Sequence, residues 1–184
     1  MLLNAARSHL IVVDMQERLM PAIHGGEGLL PKVRLLLRAA ERLRIPVTVT
    51  EQYPKGLGPT IPQVADLLPA GTVVLPKVSF SAAGDEATAR RIAALRGEGR
   101  DQVVICGIEA HVCVLQTALA LHATGLAVFV VSDAVSSRAP SSVSAACARL
   151  LHAGCHWIDA EMALFEWLEK AGTDDFRALS ALLK

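Results

Sequence analysis

Gln102-Val103-Val104-Ile105-Cys106-Gly107-Ile108-Glu109-Ala110-His111-Val112-Cys113 is the stretch on which the fold turns. Its first five residues read as a buried strand, Gln102 to Cys106, closed by Gly107. A helix pattern follows from His111 to Thr124, with Gly125 just past its end. Strands that are near-continuous Val/Ile/Leu runs, rather than alternating patterns, are buried on both faces, as parallel strands are. The same unit recurs outward in both directions. His9 to Val13 reads as a first strand ending at Asp14, and Leu29 to Leu43 as an amphipathic helix broken by Pro46. Val47 to Thr50 and Thr72 to Leu75 read as strands, separated by a Gly/Pro-rich loop from Glu51 to Pro69. Glu86 to Leu95 is a helix that Gly97 and Gly99 end. Leu126 to Val131 is a fifth strand, Ser141 to Ala153 a helix, and His156 to Ile158 a short sixth strand. Helical pieces around Ala163 to Lys170 and Asp174 to Leu183 close the chain. Strand and helix in alternation predict an α/β fold, a parallel sheet of about six strands with helices on both faces.

Composition bounds the function. At 184 residues, 52% of them hydrophobic, the chain is expected to form one domain, residues 1–184, with a sizeable core. No apolar run reaches the ~18 residues of a membrane span. The start, MLLNAARSHLIVVD, lacks the pattern of a signal peptide, so a cytoplasmic location is expected. Lys plus Arg and Asp plus Glu both number 18, giving zero net charge. With no basic block, nucleic acid and anionic membranes are not expected partners. A neutral, apolar domain with 4% aromatics is expected to hide surface in a homo-oligomer. Cys106, Cys113, Cys147 and Cys155 form no CxxC pair and no zinc pattern, so free thiols are expected.

In open α/β sheets, ligands bind beyond the carboxyl ends of the strands. The polar residues at those ends are Asp14 and Gln16; Glu51, Gln52 and Tyr53; Lys77, then Ser79 and Phe80; Glu109, His111 and Cys113; and Ser132 and Asp133. An acid, a lysine and a cysteine thus meet on one rim. Each has a plain alternative: a turn carboxylate, a surface lysine, a small core residue. Together they are the residue types that a hydrolytic mechanism needs. A cysteine must lose its proton to attack, a carboxylate can take that proton and return it to a leaving group, and an ammonium favours the thiolate. A thiol in the first turn of a helix is expected to ionise more readily. Backbone N–H groups at that helix start can hold an oxyanion.

The segments IVVDMQERL, LPKVSFSA, VVICGIEAHVCVLQTALALHATG and SDAVSSR resemble the isochorismatase-like cysteine hydrolases across essentially the whole chain. TEQYPKGLGPT, from Thr50 to Thr60, looks closest to their isochorismatase-domain-containing branch. The resemblance implies a three-layer Rossmann-like fold and a catalytic triad of Asp14, Lys77 and Cys113. It also implies a non-proline cis peptide at Ile108–Glu109, with the N–H groups of Glu109 and Cys113 as oxyanion hole. The expected substrate is a small amide or related acyl or C–N compound, cleaved through a thioester on Cys113, with no cofactor. Nicotinamidases of this fold carry an Asp-x-His metal motif after the second strand. Here that stretch is Thr50-Glu51-Gln52-Tyr53, so no metal is expected. Gln16, Tyr53, Phe80 and His111 are candidate substrate-pocket residues; Gln16 and His111 serve equally as caps, Tyr53 and Phe80 as loop packing. The alternative is a catalytically idle binding or scaffold member of the fold. A nucleotide-binding domain lacks its GxGxxG, and a thiol redox enzyme would have to recruit Cys106.

Overall fold

The computed structural model describes residues 1–183. All six strands join one sheet, in the order β3-β2-β1-β4-β5-β6, and every pairing is parallel. They are β1 (Ser8–Val13), β2 (Val47–Gln52), β3 (Val73–Lys77), β4 (Gln102–Ile108), β5 (Ala127–Ser136) and β6 (His156–Ile158). This is the doubly wound order, whose direction reverses between β1 and β4. The central strands β1 and β4 are buried at every residue. The edge strand β3 alternates instead, and it tolerates Pro76 because one side of an edge strand needs no ladder donor.

Helices cover both faces. On one side α1 (Gly26–Leu43), α7 (Ala160–Leu168) and α8 (Asp174–Ser180) pack Leu36, Leu164 and Leu179 against Leu10, Val12 and Phe129. On the other side α4 (Glu86–Gly97), α5 (Leu115–Ala123) and α6 (Pro140–Ala153) pack Ile92, Ala118 and Leu150 against Ile11, Val13 and Ile105. Caps set several ends. Asp85 accepts from the N–H groups of Ala87 and Thr88 at the start of α4, and Gly154 ends α6 in the left-handed region. Among the described residues, no helix is long and apolar enough to cross a membrane.

Three expectations change. The stretch from Glu51 to Pro69 is not plain loop. β2 runs on to Gln52, and α2 (Pro54–Leu57) and α3 (Pro62–Ala65) each start with proline at the first helical position, where its missing N–H costs nothing. β5 runs beyond Val131 to Ser136 and bulges: Ile105 faces Val130 but Gly107 faces Val135. Ser132 and Asp133 therefore lie inside a strand, not on its exit. Asp133 accepts from the N–H of Ala160 at 2.8 Å and pairs with Lys32 at 3.4 Å, so it braces α7 and α1. Finally, the helix expected from His111 begins as a π-turn, Ala110–Val114, before α5 takes over.

Candidate active site

The reversal of strand order between β1 and β4 leaves a crevice at the carboxyl ends of the strands, and the site lies there. Asp14 follows β1 with φ 51, a left-handed conformation that Asp tolerates better than most residues. It is wholly buried. Thr50 Oγ1 donates to its Oδ1 at 2.7 Å, and Lys77 Nζ donates to its Oδ2 at 2.7 Å. Lys77 is the last residue of β3, and both side chains of this ion pair have zero exposure. Lys77 Nζ also reaches Gln52 Oε1 at 2.6 Å, Phe80 O at 3.2 Å and Ser79 O at 3.3 Å. A buried ammonium needs such a full set of acceptors.

Gln52 links the ion pair to the thiol. Cys113 Sγ stands 4.0 Å from Gln52 Oε1, while Gln52 Nε2 donates to Val78 O at 2.8 Å. Gln52 is buried and lies two residues beyond Thr50, so both point to the same face of β2. That parity is the signal in the sequence. It distinguishes Gln52 from Glu51, whose carboxylate is taken by the N–H and hydroxyl of Thr60.

Cys113 lies in the π-turn and is 6% exposed. Its thiol is pushed up to about 12, chiefly by burial and next by the negative charge of Asp14, with Lys77 opposing. Burial thus works against the thiolate that a helix start and a lysine would favour, and the lysine's charge is already matched by Asp14 at 2.7 Å. Both Val112 and Val114 donate their N–H groups to Glu109 O, at 3.1 and 3.2 Å.

The Ile108–Glu109 peptide is cis, and Gly107 before it has φ 110. A Cβ there would stand 2.1 Å from Val13 O, so only glycine allows β4 to pass β1 at this point. The Glu109 carboxylate meets Arg138 twice, at 2.7 and 3.2 Å. His111 Nδ1 lies 2.9 Å from Ser137 Oγ. Consecutive residues at the exit of β5 thus hold the turn that carries Cys113.

Of the four candidate pocket residues, Gln16 is wholly buried and its amide is spent: Oε1 accepts from Gln52 N at 2.7 Å, and Nε2 donates to Gln52 O and Gly58 O. It braces the loop that Gln52 starts. Tyr53 and Phe80 are both 55% exposed, to either side of Lys77 in the chain path. Tyr53 N donates to Lys77 O at 2.8 Å. Its ring covers Gly56, where a Cβ would come within 2.3 Å of Cε1. His111 is bound to Ser137, as above. Cys106, in β4, is fully buried and likewise pushed up to about 12 by burial. Among the described residues, no group of three His, Cys, Asp or Glu side chains is placed to hold a metal ion.

A doubly wound parallel sheet thus brings a buried acid, lysine and thiol together at its switch point. The isochorismatase domain matches residues 8–162, and the chain belongs to that family. It is 36% identical over 183 residues to isochorismatase domain-containing protein 2 of Danio rerio, covering 98% of this chain and 89% of that one. It is 37% identical over 186 residues to the secreted isochorismatase effector Isc1 of Phytophthora sojae, covering 96% and 84%. Among solved structures, MAR1 ribonuclease from Caenorhabditis elegans superposes with a TM-score of 0.92 at 34% identity, covering 100% of this chain and 92% of that one.

Proposed function

We propose that this protein hydrolyses a small, uncharged amide or related acyl compound through a thioester on Cys113. The observation that carries the reading is the buried Lys77–Asp14 pair at 2.7 Å, with Gln52 between it and the Cys113 thiol. Burying two charges is expensive and does not by itself favour stability, so their retention beside a thiol calls for a chemical use.

In the proposed cycle Cys113 Sγ attacks the carbonyl carbon while its proton passes to Asp14. The carbonyl electron pair moves onto oxygen, held by the N–H groups of Glu109 and Cys113. The oxyanion collapses, the C–N bond breaks, and Asp14 returns the proton to the leaving nitrogen. Water then attacks the thioester, giving its proton to Asp14, and the acid leaves as Sγ is reprotonated. Lys77 holds Asp14 in place between these steps. Gln52 aligns Lys77. The charges near the thiol are balanced, Lys77 against Asp14 and Arg138 against Glu109, and Tyr53 and Phe80, close to Gln52 and Lys77 in the chain, are exposed; this supports a neutral substrate with an apolar flank. The exposed Tyr53, Val78 and Phe80 also favour a homo-oligomer, which sedimentation would test.

The test is a panel of small amides, carbamoyl compounds and esters, with an RNA oligonucleotide included because one relative carries a ribonuclease name. Ammonia or acid release is measured alongside the intact mass of quenched protein. Turnover with an acyl adduct on Cys113, both lost in Cys113→Ala, supports the reading. Turnover that survives Cys113→Ala overturns it. A second reading, a binding member of the fold without catalysis, is favoured by one observation, the burial of Cys113, which works against its thiolate. Binding of a panel compound with neither adduct nor product would select it.

A further inference from the structure

The opposite end of the sheet carries a second polar site, separated from Cys113 by the length of the strands, roughly 20 Å. A cavity of about 410 Å³ opens there between Arg44, at the end of α1, the start of β2, the turn Pro69–Thr72, and Arg91 on α4. That size falls within the range of small-molecule sites.

Its charge is unbalanced. Arg44 and Arg91 line it, and Glu41 is the single acid among the lining residues; Arg38 NH1 already donates to that carboxylate at 2.9 Å. Among the described residues, neither Arg44 nor Arg91 has a carboxylate within 4.0 Å, and neither guanidinium donates a hydrogen bond. Arg91 Nε is buried without a partner. Arg100 stands behind them, fixed by the carbonyls of Ala5, Ser8 and Arg44. His9, on β1, is buried within reach of the charges of Arg91 and Arg100, outside the cavity's lining. Its Nε2 meets Thr48 Oγ1 at 2.8 Å, and its buried Nδ1 has no partner. Burial and the charges of Arg91 and Arg100 together keep its ring neutral. Buried donors without acceptors are rare, and a charged one costs more than a neutral one. Gly71, at φ 83 in the facing turn, has nothing within 4 Å of where a Cβ would stand.

We propose that this cavity binds a small phosphate-bearing molecule, its phosphate held by Arg44 and Arg91. Guanidinium groups suit phosphate because their donors match two oxygens at once. The cavity exceeds what inorganic phosphate fills, so a phosphomonoester with a compact organic part is the better fit. This site is independent of the hydrolase reading, which concerns the other end of the strands.

The test titrates the whole protein with inorganic phosphate and with ribose 5-phosphate, by calorimetry and thermal unfolding, against sodium chloride at matched ionic strength. Ligand that binds only the folded state raises the melting temperature saturably. The expected result is saturable binding of both, tighter for ribose 5-phosphate, and weakened at least tenfold in Arg91→Gln and in Arg44→Asn. Asn is chosen because Arg44 has φ 57, which Asn tolerates. Arg90→Gln, at an exposed arginine already facing Glu86, is the control and should bind as the wild type does. If Arg91→Gln fails to fold, Arg44→Asn carries the test alone. An equal rise in chloride, or phosphate binding that neither Arg91→Gln nor Arg44→Asn weakens, overturns the proposal.

Discussion

Alkylation of Cys113 against pH tests how the centre holds its proton. With its thiol up at about 12, Cys113 is about one part in 30,000 thiolate at pH 7.5, against about one part in 30 for an ordinary thiol at 9.0. Iodoacetamide reacts with thiolate alone, so Cys113 should be alkylated about a thousandfold more slowly than an ordinary exposed thiol. The half-buried Cys147 is the internal comparison. Limiting reagent is added at pH 7, 8, 9 and 10, and each cysteine's adduct is followed by mass spectrometry. The Cys113 rate should climb about tenfold per pH unit with no plateau. Asp14→Asn removes the negative charge that raises the thiol, so it should speed alkylation; Lys77→Met removes the opposing charge and should slow it. A rate for Cys113 that exceeds Cys147 at pH 7 and is flat above it would refute the reasoning, since it means a preformed thiolate.

Three further outcomes follow from the geometry. Lys77→Met leaves the Asp14 carboxylate buried against Thr50 alone and should lower unfolding free energy by about 3–5 kcal/mol in urea, while Asp14→Asn with Lys77→Met should recover part of it. Gly107→Ala puts a Cβ 2.1 Å from Val13 O at φ 110, and circular dichroism should find the folded state lost or heavily destabilised. His9 is lowered from 6.5 to about 3, mainly by burial and then by Arg91 and Arg100, so the unfolded chain binds its proton first as pH falls. Its stabilisation is therefore whole above pH 6.5 and is lost on the way down to about 3, by up to roughly 1.4 kcal/mol per pH unit, a slope that His9→Gln should flatten in acid titrations followed by urea.

The layout of the centre was legible in the sequence for a physical reason. Parallel strands buried on both faces must be apolar throughout, so the first polar residue after each run marks an exit. Asp14 after Val13, and Cys113 after the strand closed by Gly107, were readable that way. What the sequence withheld depends on contacts between elements. The bulge in β5 moves Asp133 off the rim onto Lys32 and Ala160, and nothing in Val130 to Ser136 announces a register jump. The π-turn at Ala110–Val114 looks like ordinary helix in its apolar spacing. Gln16 and Gln52 share one residue type at two neighbouring strand exits. Only their partners separate them: backbone carbonyls for Gln16, Lys77 and the Cys113 side of the site for Gln52. The two arginines of the second cavity come from the end of α1 and from α4, too far apart along the chain to form a motif.

The protonation state of Cys113 also bears on why the centre needs both Asp14 and Lys77. With the thiol neutral, the buried set sums to zero: one carboxylate, one ammonium, one S–H. A resting thiolate would add a second negative charge beside Asp14 in a site where both partners of the ion pair have no exposure, and burial penalises that charge heavily. In the proposed cycle, attack and proton transfer together keep the sum at zero. Asp14 becomes neutral as the substrate oxygen becomes negative, so charge moves across the site without increasing. Lys77 then faces a neutral acid and is itself unbalanced until the oxyanion collapses, which favours the return of the proton from Asp14 to the leaving nitrogen. A lysine beside a lone cysteine would serve only to form a thiolate. Paired with Asp14, in the proposed cycle, it makes the carboxylate a base that gives its proton back.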